Sequence, residues 1–265
     1  MSTSDKYTTE TITDITTWTA KLFSFRTTRY RGYRFIPGQF ARLGIRKHTP
    51  GGTQPGEEKI VWRAYSIVSA DYDEFLEFYS IVVPGGEFTS VLADLKVGDE
   101  ILIDKTNYGA LTTDRFVEGR DLWLLSTGTG LAPFISILHD IKTWEHYENI
   151  LLVHGVRFKD ELAYAELIEA FARHEYFGEF AHKLQYVQVV TRDEAPGALR
   201  GRIPQLIEDG ALEASTGIRI DPDRARIMIC GNPDMVDDLR KHFLDRGYTL
   251  SRRGKPGHLA VENLW

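Results

Sequence analysis

The sequence predicts a two-domain chain: an antiparallel β-barrel over residues 1–116, then an α/β domain with a parallel sheet over 117–265. Three observations carry that expectation. The chain has 265 residues, enough for two ordinary domains. Near residue 118 its rhythm changes from short β-branched and aromatic runs broken by turns to apolar strands alternating with helical stretches. A glycine loop, Gly128-Thr-Gly-Leu-Ala-Pro133, joins one of those later strands to a helix.

In the first half, residues 61–68, 76–83 and 100–104 read as strands, punctuated by Pro37-Gly38, Pro50-Gly51, Pro84-Gly85 and Gly98-Asp99. Evenly spaced short strands of this kind build an antiparallel barrel or sandwich. Residues 49–56 read as an exposed loop. In the second half, strands at 122–126, 150–156, 184–191, 226–230 and 259–262 alternate with helices at 133–143, 161–174, 203–208 and 233–246. That alternation predicts a parallel sheet covered on both faces. Asn232 suits the N-cap of the last helix, Pro233 its first turn and Gly247 its end.

Composition narrows the function. Hydrophobic residues make up 42% and charged residues 26%, so the chain can bury a core. A single cysteine, Cys230, excludes an internal disulfide framework and a four-cysteine zinc or iron–sulfur site, and no metal set is read. The net charge of −6 argues against nucleic acid. The N-terminal stretch lacks an apolar core and carries Asp5, Glu10 and Asp14, so no targeting signal is expected. No apolar run reaches membrane-spanning length, and a cytoplasmic location is expected. The charge is unevenly spread, however. Residues 15–56 hold no Asp or Glu, where the chain's average predicts about six, and they carry eight bases, from Lys21 to Lys47.

Taken residue by residue, the chemistry stays open. The glycine loop is as much a tight strand–helix turn as a phosphate site. Arg157, Arg192 and Arg202 follow predicted strands, where ligands of open parallel sheets bind; each is either a phosphate clamp or a solvated loop residue. Arg63 sits inside a strand among apolar neighbours and needs a partner. Tyr79 and Phe88 fit a core, and Cys230 fits a small buried residue at a strand end.

In order along the chain stand Pro37-Gly-Gln-Phe40, Arg63-Ala-Tyr-Ser66, residues 86–92, the glycine loop to Pro133, and Val153-His-Gly-Val-Arg157. They are followed by Thr191-Arg192, Gly201-Arg202, Cys230-Gly-Asn-Pro-Asp-Met235 and Ala260-Val-Glu-Asn-Leu-Trp265. Over nearly its whole length the chain resembles the bacterial-type ferredoxin/flavodoxin–NADP reductases. The resemblance implies an FAD-binding barrel and an NADP-binding α/β domain whose C-terminal tail returns to the flavin. Arg63 would neutralise the FAD pyrophosphate, Tyr65 would lie against the ring, Ser66 would sit near flavin N5, and Ala64 would join the FAD contacts. Tyr79, Glu87, Phe88, Thr89 and Thr129 would complete the FAD site with Leu264 and Trp265. Leu264 stands where this branch often has an aromatic that covers the flavin. Val156, Arg157, Thr191, Arg192 and Arg202 would hold NADP, joined by Asn232, Pro233, Asp234 and Asp238. Asp234 also fits a helix start on dipole grounds alone.

Ser66, Cys230 and Glu262 would flank the hydride transfer from nicotinamide C4 to flavin N5, after which FAD would release electrons singly. The implied partner is an acidic ferredoxin or flavodoxin, docked on the basic 21–47 region of a monomer. Two alternatives remain open at this point: an NAD(P)H-dependent flavin or oxygenase reductase, and a slow flavoprotein redox sensor.

Overall fold

The structure is a computed structural model that describes residues 6–48 and 58–263; the loop expected at 49–56, and Leu264 and Trp265, lie outside the described residues. The Thr- and Ile-rich opening forms β1 (Tyr7–Thr17), as β-branched side chains favour. It is followed by β2 (Leu22–Thr28), β3 (Phe40–His48), β4 (Glu58–Ser66), β5 (Phe75–Ile81) and β6 (Glu100–Asp104). These strands pair in the order β4-β3-β6-β1-β2-β5, every pair antiparallel. Just past β4, Ile67 bridges to Phe78 on β5, so the two edges of the sheet meet and the barrel closes. Ile12, Phe25, Leu43, Phe78 and Ile103 fill its interior, each at most 1% exposed. Burial of such side chains contributes roughly 1.5–3 kcal/mol apiece. The six-residue helix α1 (Thr89–Asp94) follows β5 and sets Phe88 beneath the barrel rim.

The second half lays down β7 (Asp121–Thr127), β8 (Asn149–Val156), β9 (Leu184–Val190), the short β10 (Leu199–Arg200), β11 (Ala225–Cys230) and β12 (Leu259–Glu262). Their order is β10-β9-β8-β7-β11-β12, all parallel. The chain builds outward from β7 in one direction and then returns to build β11 and β12 on the other side. The β7/β11 boundary is therefore a topological switch point, where open parallel sheets bind ligands at the strands' carboxyl ends.

Alternate residues of the central strands feed opposite faces. Leu122 and Leu124 pack with Phe134, Ile135 and Trp144 of α2 (Ala132–Leu138) and α3 (Ile141–His146), in a core that also takes in Val68, Tyr79 and Leu111 from the first half. Trp123 and Leu125 pack on the other face, against α5 (Ile203–Glu208), α6 (Ala211–Thr216) and α7 (Pro233–Asp245). Asn232 caps α7 as expected, its side chain accepting from the amides of Asp234 at 3.0 Å and Met235 at 3.3 Å. Gly247 follows in the left-handed conformation, φ 88°.

Two expected helices are interrupted. The one expected at 133–143 splits at Asp140, which adopts extended backbone and caps α3 by accepting from the Lys142 amide. The one expected at 161–174 begins only at α4 (Ala165–Ala170), because Tyr164 takes a left-handed conformation. The crossover between the two sheets runs beneath Arg226. Its buried guanidinium donates to the carbonyls of Val117, Glu118, Pro222 and Ala225. Among the described residues, no helix is long and apolar enough to cross a membrane.

Candidate functional site

One wall of the site comes from the barrel. On β4, Val61 is buried in the core, whereas Arg63, two residues further on, is exposed beside a half-buried Tyr65 and a buried Ser66. The Tyr65 ring meets Phe78 edge-on at 6.5 Å and Phe88 at 5.7 Å. Its hydroxyl pairs with Ser80 Oγ at 3.2 Å. Burial pushes the Tyr65 phenol up to about 12, so the ring is neutral. Arg63 donates from Nη1 to its neighbour's carbonyl, Trp62 O, and has no acid within ion-pair distance among the described residues. Tyr79, 3% exposed, carries a buried hydroxyl without a hydrogen-bond partner among the described residues. Thr89 Oγ1 accepts from the Val83 amide at 3.1 Å and fixes the turn that presents Glu87 and Phe88.

The other wall forms at the switch point. The ends of β7 and β11 approach so closely that a Cβ on Gly130 would fall 2.3 Å from the Cys230 carbonyl oxygen. One on Gly231 would lie 2.3 Å from Thr127 Oγ1, and the φ of Gly231, 140°, already favours glycine. Thr127 Oγ1 also accepts from the Asn232 amide at 2.9 Å. In register across four strands lie His154, Ser126, Cys230 and Glu262.

Burial, with the Glu262 charge second, pushes the Cys230 thiol upward, so it stays protonated. Glu262 is itself pushed up to about 7 by burial, against the smaller opposing effects of the Ala110 backbone and Arg115. Its Oε2 is buried without a hydrogen-bond partner among the described residues. His154 is held down to about 4 by burial and stays neutral, with Nδ1 3.2 Å from the Tyr186 hydroxyl.

Between the walls opens a cleft of about 320 Å³. From the barrel it takes Arg63, Ala64, Tyr65, Ser66, Tyr79, Glu87, Phe88 and Thr89, and from the α/β half Thr129 and Cys230. Each of these was expected from the sequence. Ser80, Ile81 and Ala132 also line it and were not anticipated. The signal for Ser80 is its place beside Tyr79 in a strand that is otherwise apolar there.

The residues expected to hold NADP lie along the carboxyl edge of the sheet. Val156 ends β8, and the Arg192 amide donates to the Arg157 carbonyl at 2.8 Å. Thr191 Oγ1 donates to Val156 O at 3.2 Å, and Arg202 stands at the N-cap of α5. Arg192 and Arg202 are exposed and have no ion-pair partner among the described residues, whereas Arg157 lies 3.6 Å from Glu161. Asn232, Pro233 and Asp234 open α7, and Asp238 lies one turn on, exposed.

The acid-free stretch is not acid-free in space. Arg26 pairs with Glu77 at 2.8 Å, Arg42 with Asp104 at 3.7 Å and Arg46 with Glu100 at 3.8 Å. Arg29, Arg31 and Arg34 line a separate opening of about 540 Å³ opposite Asp71, Asp73 and Glu74. That opening holds none of the expected cofactor residues.

Comparison with known proteins places this geometry. A reductase from Pseudomonas aeruginosa named ferredoxin–NADP reductase is 42% identical over 258 residues, covering 96% of each chain. The chain belongs to the ferredoxin/flavodoxin–NADP reductase family. Within that family, the Escherichia coli flavodoxin/ferredoxin–NADP reductase is 35% identical over 96% of this chain and 97% of its own length. A family model described as the oxidoreductase NAD-binding domain matches residues 124–241. A crystal structure of the Neisseria gonorrhoeae ferredoxin NADP+ reductase, with bound FAD and NADP, superposes with a TM-score of 0.87 at 36% identity, covering 98% of this chain and 99% of that one. The barrel-plus-parallel-sheet architecture is thus that of the reductase family.

Proposed function

We propose that the chain is an FAD-dependent oxidoreductase that moves electrons between NADPH and a ferredoxin or flavodoxin. One observation carries this reading. A single cleft gathers Arg63, Tyr65 and Ser66 from the barrel with Thr129 and Cys230 from the switch point, and Glu262 is in register beside Cys230. When bound, FAD accepts a hydride from NADPH and passes its two electrons on one at a time.

The residues present fit that group. Arg63 supplies a cation without an acid partner for the pyrophosphate, and Tyr65 a neutral flat ring for one face. Ser66 offers a buried hydroxyl close to it, and Tyr79 a buried hydroxyl with no hydrogen-bond partner among the described residues. Glu87, Phe88 and Thr89 bring backbone and hydroxyl groups to the phosphates, while Ala64 and Thr129 border the ring. Leu264 and Trp265 close the FAD site by family analogy; the FAD part comprises residues 1–116 and the NADP part 117–265.

Arg192 and Arg202 hold the 2′-phosphate as unpaired guanidiniums, with Arg157, Val156 and Thr191 beside them and Asn232, Pro233, Asp234 and Asp238 at the start of α7. Gly130 and Gly231 leave room for a cofactor against backbone, since side chains there would collide with Cys230 and Thr127. Cys230 stays a neutral thiol, and Glu262 holds a proton near neutral pH at the carboxyl beside it. These two residues set the polarity at the nicotinamide and exclude stray charge from it.

The carrier docks on the basic 21–47 region. Arg31 and Arg34, which form no ion pair among the described residues, supply its positive face. A cytoplasmic monomer accords with this reading. Purified protein tests it directly: it should be yellow, bleach on anaerobic addition of NADPH faster than with NADH, and then reduce added ferredoxin or flavodoxin. A colourless protein that binds no FAD overturns it.

A further inference from the structure

We infer that Tyr164 is a positioning residue that seats the NADP half of the cleft on the flavin half. The inference rests on the reading proposed above. Tyr164 lies between β8 and α4 with φ 62° and ψ 7°, the one non-glycine residue of positive φ among those described. That conformation is unfavourable for a bulky side chain and persists only where the surroundings impose it.

Here the barrel imposes it. The Tyr164 ring, 5% exposed, lies 4.8 Å from the Trp18 ring and meets Tyr79 edge-on at 5.3 Å. Its hydroxyl donates to Glu77 Oε1 at 2.8 Å, and the other oxygen of Glu77 accepts from Arg26 Nε at 2.8 Å. Trp18, Arg26, Glu77 and Tyr79 all belong to the barrel half, so a side chain of the α/β half is plugged into it.

The same segment grips the NADP edge at its other end. Glu161 Oε2 accepts from the amides of Arg157 at 2.9 Å and Phe158 at 3.3 Å, and Oε1 lies 3.6 Å from the Arg157 guanidinium. The stretch from Arg157 to Tyr164 therefore links an arginine at the phosphate edge to Tyr79, a wall of the cleft. The Tyr79 hydroxyl has no hydrogen-bond partner among the described residues to fix its ring, so its neighbour Tyr164 fixes it from behind.

Tyr164→Phe keeps the ring and removes the link to Glu77; Glu77→Ala removes the same link from the other side and serves if the first variant loses FAD. Glu77→Gln keeps an acceptor for Tyr164 and is the conservative rescue. We expect Tyr164→Phe and Glu77→Ala to slow flavin reduction at saturating NADPH by about 10-fold, because displacements near 1 Å cost up to about 100-fold. The difference spectrum that NADP+ induces in bound flavin should shrink in both, while the NADP+ Kd stays within about twofold, the 2′-phosphate being held elsewhere. Hydrogen exchange across residues 76–82 should quicken in the cofactor-free protein, and Glu77→Gln should restore spectrum and rate. Wild-type spectrum and reduction rate in both Tyr164→Phe and Glu77→Ala, even with faster exchange, leave Tyr164 a mere packing residue and overturn the inference. A wild-type protein that NADPH fails to reduce overturns the proposed function instead.

Discussion

Cys230 and Glu262 stand in register on adjacent parallel strands, and the carboxyl beside the thiol has one oxygen buried without a hydrogen-bond partner among the described residues. A carboxylate so placed pays for its charge in lost hydration, which is why burial raises Glu262 to about 7. Two neutral, weakly polar groups therefore stand side by side at the carboxyl ends of β11 and β12 below neutral pH, and one becomes charged above it.

That shift has a stability consequence with a definite sign. The folded pKa lies above the ordinary value of 4.5, so the folded chain keeps a proton that the unfolded chain loses. The contribution of Glu262 to stability is complete below about pH 4.5 and declines as pH rises through about 7. Glu262→Gln should abolish that decline. Melting temperatures of the two proteins, compared from about pH 5 to about pH 8, should diverge in favour of the variant as pH rises; a pH-independent gap contradicts the assignment.

Gly130→Ala introduces a methyl group where 2.3 Å separates it from the Cys230 carbonyl, with backbone rather than a flexible side chain in the way. The β7 and β11 ends must spread, and a loss of about 1–3 kcal/mol is expected. Chemical denaturation checks the stability loss, and weaker retention of FAD on dilution checks that the spreading reaches the cleft.

Arg192→Ala and Arg202→Ala should discriminate between dinucleotides. Each removes a charge-assisted contact worth about 1.5–3 kcal/mol, so KM for NADPH should rise by about 10- to 150-fold per substitution. KM for NADH, which has no 2′-phosphate, should change little. Equal losses for both cofactors would mean that these arginines do something else.

Carrier reduction should weaken with salt while reduction of a small neutral acceptor does not. Arg31→Glu and Arg34→Glu should raise the carrier KM several-fold and leave that for NADPH nearly unchanged, since steering acts on encounter at roughly 10- to 1,000-fold in rate. The acids opposite, Asp71, Asp73 and Glu74, weaken the local field, so Asp71→Asn should move the carrier KM in the other direction.

The sequence showed both sheets because their signals are local. Apolar runs such as 150–156 and the Asn232–Pro233 start of α7 declare themselves by pattern and capping chemistry. Ten of the cleft residues were legible through the family resemblance that the ordered motifs carry, whereas Ser80, Ile81 and Ala132 were not. Tyr164 was not, because a left-handed tyrosine is imposed by partners more than 80 residues away, and nothing within 161–174 signals it. The same holds for the charge pattern. An interval free of acids in sequence is lined with them in space, since β1, β5 and β6 flank its strands and the turn before β5 faces its loop. The break at Asp140 was the near miss: an acid inside a helical run is also a cap for a new one.

The guanidinium of Arg226 gathers four carbonyls from the crossover and the approach to β11. No lysine can do the same, since a single ammonium has three protons and no planar fork. The crossover is thereby a riveted seam. All four carbonyls lie within residues 117–265, so these bonds pin the start of the α/β half to β11, and bending there would break several of them at once. The α/β half is thereby a stiffened body that meets the barrel through side chains, among them Ser136 Oγ donating to Ser69 O at 2.9 Å and the Tyr164 hydroxyl donating to Glu77.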